Sequence, residues 1–134
     1  MRAKTAALNP TWFLGALALA ALLPLKAQAD AHGEIVTAMT HADLASKATD
    51  IAGVHMHLHH TLNCLAGPGG TGYDATQMNP CANAGKGAIP DATTANKKAL
   101  EDAAKMAASG IAESDLAKAQ ADASGTAAAL KTLP

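Results

Sequence analysis

The chain has 134 residues, with 10 basic and 11 acidic side chains, six histidines and two cysteines; apolar residues make up 49% of it, yet Trp, Tyr and Phe occur once each. A near-neutral chain without a basic run excludes nucleic acid as its main partner, because that affinity is built from many Lys and Arg contacts to phosphate. The length allows one small domain, whose core has to be made of Ala, Leu, Ile, Val and Met.

Residues 1–29 read as a secretory signal peptide. Arg2 and Lys4 supply a positive start, Trp12 to Leu23 is an apolar run too short for a comfortable membrane span, and Ala27-Gln28-Ala29 is an A-x-A cleavage box. The cut is expected between Ala29 and Asp30. No lipobox cysteine accompanies it, so no stable membrane anchor is expected afterwards, and the product is periplasmic or secreted. Removal of 29 of the 134 residues leaves 105, and loses Arg2, Lys4 and Lys26 but no acid, so the remainder is formally −4. Such a chain mildly favours cations over anionic membranes. A small Ala-rich core also needs outside support, from a disulfide or a metal.

Residues 30–134 read as a single helical metal-binding domain. The first element is a helix over about 34–66. Leu44, Ala48, Ile51, His55, Leu58, Leu62 and Leu65 follow one another at alternating steps of four and three, and the stripe extends back through His41, Thr37 and Glu34. Gly53 interrupts it, so a break near His41 or Gly53 stays open. Gly67-Pro68-Gly69-Gly70 ends the helix, and the Gly- and Pro-rich segment 67–91 is a loop. A loop of that length calls for a staple. Cys64 and Cys81 are the only cysteines, and an exported pair spaced like this most simply forms a disulfide, with two thiolate metal ligands as the alternative. Two further helices follow, over about 92–109 and 114–131, with Leu100, Ala104, Ala107 and Ile111 on one stripe and Leu116, Ala119, Ala123, Thr126, Leu130 and Leu133 on the other. The fold class is all-α: a small three- or four-helix bundle in which a C-terminal helical hairpin packs on the histidine-bearing helix.

The chemistry sits in Val54-His55-Met56-His57-Leu58-His59-His60. Four of the six histidines lie in this run, and the other two, His32 and His41, lie just upstream. Several imidazoles gathered in one segment point to metal ligation. His55 and His59 share a face at the HxxxH spacing and form the expected core pair. His57 and His60 face another way, and Asp50 sits two turns before His57 as an acceptor able to orient it. Met56 can add a thioether to either pair. One helix supplies too few ligands, so His41, Met39, Met78, Cys64 or a second protomer would complete the set. The competing readings are a hydrogen-bonded core histidine at 55 and a solvated face at 57 and 60.

Imidazole suits copper, zinc and nickel alike, and the neighbouring methionines tilt the choice to copper. Cleavage after Ala29 would also leave Asp30-Ala31-His32 at a free amine. That start resembles the amino-terminal copper/nickel motif of serum albumin, a resemblance of three residues. It implies a square-planar site made of the amine, two backbone amides and the His32 imidazole, which favours Cu(II) or Ni(II). Haem is a weaker alternative, because there is no C-x-x-C-H and almost no aromatic residue to line a pocket. No nucleophile elbow, zinc-protease helix or phosphate loop occurs, so an enzyme is not expected. The expected function is an exported copper-binding protein for sequestration, delivery or sensing, partnered by the ion and by another periplasmic metal-handling protein or a second copy. The alternatives are a stapled interaction module with a pH-sensitive histidine surface, and an electron carrier.

Overall fold

Asp50 sets the topology. Its side chain accepts a hydrogen bond from the Gly53 N–H at 2.7 Å and caps a new helix. The stripe over 34–66, read as one helix with a break near His41 or Gly53 left open, is therefore two helices, parted just before Gly53. The computed structural model describes residues 31–134; the leader expected over 1–29, its cut site and Asp30 lie outside the described residues. Within them α1 spans Ala31–Lys47, α2 Ile51–Ala66, the single turn α3 Ala88–Asp91, α4 Thr94–Ala112 and α5 Leu116–Lys131. The described residues contain no strand, and the all-α bundle expected from the periodicity is the observed architecture. None of these helices is long and apolar enough to cross a membrane.

The three-residue turn at 48–50 folds α2 back on α1. Thr61 Oγ1 donates to the Ala38 carbonyl at 3.2 Å, and His57 meets His41 further along, so the two helices run antiparallel. The α4–α5 hairpin closes the ring. Gly110 lies against Leu58 and Asp122, and the Gln120 amide donates to the Ala48 carbonyl at 2.8 Å. Four helices thus go up, down, up, down, each packed on two neighbours.

The break explains one exposed residue. Leu44 was expected on the buried stripe, yet it is 43% exposed. A 3-4 pattern keeps to one face only while the helix is continuous, and the turn at 48–50 resets the phase. The buried face of α1 is Glu34, Ile35, Ala38, Ala42 and Ala45. On α4 it is Leu100, Ala103, Ala107 and Gly110, and on α5 Ala119, Ala123, Thr126 and Leu130. The helix also runs through Ser109-Gly110, where a stop was expected, because Gly110 lets Leu58 pack directly on the α4 backbone. Two apolar clusters result. One joins Ile35, Leu65, Leu100 and Leu130 with both cysteines, and the other joins Val54 and Leu58 to Ala45, Ala107, Ala119 and Ala123.

The long loop is held in three ways. Cys64 and Cys81 form the expected disulfide, with Cα atoms 5.1 Å apart; the closed loop contributes about 3 kcal/mol in the chain-entropy model. Gly67 and Gly87, both at positive φ, cross backbone to backbone, and a Cβ on Gly67 would overlap the Lys86 carbonyl. The buried Glu34 carboxylate accepts the Gly87 N–H at 2.9 Å, tying the crossing to α1. Beyond it the short α3 occupies the end of the segment read as loop.

Candidate metal centre

His41, His57 and His60 converge across the α1–α2 seam, between the two apolar clusters. One ring nitrogen from each can be chosen so that all three lie within 4.8 Å of one another. His57 and His60 stand three apart on one face of α2, and antiparallel packing lays His41 of α1 against them. Ring centroids are 5.5 Å apart for His41–His57, 5.0 Å for His41–His60 and 5.8 Å for His57–His60. The His60 ring stands nearly perpendicular to the other two.

The Nδ1 atoms of His41 and His57 are 3.3 Å apart. One ring donates its Nδ1–H and the other accepts, so the two must be opposite tautomers. The same separation suits a metal. With metal–nitrogen bonds of about 2.0–2.1 Å, the edge of a tetrahedron is about 3.3–3.4 Å. An ion would replace the shared proton, and both rings would then carry their proton on Nε2. His60 Nδ1 is buried with no hydrogen-bond partner among the described residues. Three imidazoles that can each turn a ring nitrogen to a common point are the donor chemistry a late transition metal uses.

The electrostatics disfavour a charge on His41 and on His60. Burial pushes the His41 imidazole below its usual pKa, and the neighbouring His60 and His57 add to the effect. Burial does the same to His60, followed by His57 and His59. Neutral imidazole is the ligating form.

The remaining sequence candidates sit elsewhere. His55 was expected to pair with His59. Instead its Nε2–H donates to the Glu113 carbonyl at 2.8 Å, at the C-cap of α4. His55 points toward α4 while His57 and His60 face α1, because successive helical residues turn by about 100°. His59 Nδ1 lies 3.6 Å from the Asp74 carboxylate, too far for a hydrogen bond. The Thr76 hydroxyl and then its backbone N–H hold the Asp74 carboxyl below the usual range, with a smaller contribution from His59. Asp50 does not orient His57; it is the cap of α2. His32 is exposed on the first turn of α1. Met56 is 43% exposed on α2, and Met39 packs against the larger apolar cluster.

Asn63 is the important residue that the sequence reading missed. It is fully buried. Its amide donates to the carbonyls of Asp74, Gln77 and Met78 at 2.9, 3.2 and 3.2 Å, and its Oδ1 accepts the Asp74 N–H at 2.8 Å. It pins the loop to α2 one turn after His60. A polar amide inside an otherwise apolar helical end, beside Cys64, was the signal.

Comparison with known proteins finds no matching family model, no matching curated protein and no matching solved structure.

Proposed function

We propose that this is an exported metal-binding protein that holds one transition-metal ion, copper, on His41, His57 and His60. The convergence of three imidazoles from two helices within 4.8 Å carries the reading. Three imidazole nitrogens without a carboxylate suit copper, zinc or nickel and disfavour magnesium or calcium. Copper is the preferred identity because thioethers flank the histidine run and because Asp30-Ala31-His32, if freed by cleavage, offers a second copper-type site. Export is argued from the leader pattern of residues 1–29 and agrees with a disulfide-stapled domain. The role is sequestration, delivery or sensing rather than catalysis, since the cluster pairs its ligands with no acid, base or nucleophile.

The test is metal content by native and denaturing mass spectrometry on tag-free protein, before and after equilibration with copper, zinc and nickel. In a His32→Ala background, which removes the amino-terminal site, one equivalent of copper is expected, lost in the double variant His41→Ala/His57→Ala and retained when His55 is replaced by Gln. Wild-type protein that takes up no metal, or a double variant that keeps it, refutes the assignment.

A further inference from the structure

We propose that Met56 is the fourth donor of this centre and makes it selective for Cu(I) over Zn(II). The inference rests on the metal-binding reading above and adds an oxidation state and a residue to it. Three imidazoles leave one position of a tetrahedron open, and in a zinc site of this type water takes it. Met56 and His60 are four residues apart on α2, 40° apart around the axis, with Cβ atoms about 5–6 Å apart. Helical side chains lean toward the N-terminus, so the His60 ring leans over the turn that carries Met56. A thioether on three rotatable bonds is free to swing toward that ring.

The other methionines show why Met56 is the candidate. Met39 packs against the apolar cluster, and the Met106 sulfur lies along α5 at Gly125, so both are accounted for as packing. Met56 belongs to neither apolar cluster and is 43% exposed. It is the methionine that shares α2 with His57 and His60, one turn before His60, and neither apolar cluster claims its side chain. Met78 is also exposed, at 59%, but it lies on the loop, where its backbone carbonyl is bound by Asn63. Soft thioether sulfur prefers Cu(I), whereas zinc gains little from exchanging water for it. Binding needs no redox step: Cu(I) enters as the ion and the imidazoles stay neutral.

The experiment compares wild type with Met56→Leu, Met78→Leu, Met39→Leu and His57→Ala. Cu(I) is titrated anaerobically against a chromophoric chelator, Zn(II) against a zinc indicator, and the copper coordination is read by X-ray absorption. Leucine keeps the volume, and Met56 and Met78 are exposed, so their variants keep the fold. Met56→Leu is expected to weaken Cu(I) binding about tenfold or more, leave Zn(II) within about twofold, and remove a sulfur scatterer from the copper shell. His57→Ala is expected to lose both metals. Unchanged Cu(I) affinity in Met56→Leu, with His57→Ala still losing it, overturns the role of Met56 and spares the three-histidine site. A loss confined to Met78→Leu does the same. Wild type that binds neither metal overturns both.

Discussion

Asn63→Ala should detach the loop that lies over the histidine end of α2. Three carbonyls share the two hydrogens of the Asn63 amide, and one backbone N–H is held by its oxygen. Each net hydrogen bond is worth about 0.5–1.5 kcal/mol, so the four contacts amount to roughly three full bonds, or about 3 kcal/mol. The freed loop carbonyls can turn to water, which keeps the loss from rising further, and the cavity left in place of the amide adds to it. A loss of about 2–4 kcal/mol is expected, a large share of the roughly 5–15 kcal/mol typical of a domain. Urea unfolding would read it as a shift in midpoint at nearly constant slope. Amide hydrogen exchange should show faster exchange around residues 74–82, while α4 and α5 keep their order relative to global unfolding. Asn63→Asp should be at least as harmful, because a carboxylate cannot donate to those carbonyls. A change below about 0.5 kcal/mol in Asn63→Ala would refute the view that this amide holds the loop.

Gly110→Ala sets two effects against each other. Alanine gains about 1 kcal/mol of helix propensity, but the new methyl would sit 2.6 Å from Leu58 Cδ1 and 3.1 Å from Asp122 Cβ. Leu58 is fully buried and has nowhere to go, so overpacking of about 1–3 kcal/mol should win, and thermal melting should show a net destabilisation. Stability of the metal-free protein should also depend on pH. His41 and His60 are held below their ordinary value near 6.5, so as pH falls through 6.5 the unfolded chain takes up protons that the folded chain refuses. The stability present above that pH is lost progressively below it. Urea midpoints at pH 7.5 and 5.5 should differ in that direction, and the difference should shrink in His41→Gln/His60→Gln.

The helical content was legible because alanine and the 3-4 spacing dominate the chain. The break between α1 and α2 was less so. Gly53 was the one local sign of it; Ala48, Thr49 and Asp50, where the turn falls, carry no glycine or proline, and the 3-4 stripe runs on from Leu44 to Ile51. What decides is Asp50 as a cap for Gly53, which gives up the continuity of the ladder for a hairpin that buries both helices. The residues that hold the loop were half visible: the cysteine pair announced itself, but Asn63 acts through carbonyls 11 to 15 positions away, a contact that local pattern does not carry.

The same distinction explains the histidines. Spacing along one helix favours His55 with His59, since residues four apart share a face. It cannot say which face meets which neighbour. Once α1 folds back, the face carrying His57 and His60 receives His41, and the face carrying His55 receives the end of α4. Each imidazole then takes the partner its environment supplies. His55 has a backbone carbonyl that satisfies it fully. His57 and His41 have only each other, and His60 keeps a buried nitrogen with no partner among the described residues. A histidine satisfied by backbone is structural, and three that meet chiefly one another are chemically poised. His59 also keeps a buried nitrogen without a partner among the described residues, so it is the convergence of three rings, more than the number of histidines in the run, that makes the seam between α1 and α2 able to hold an ion.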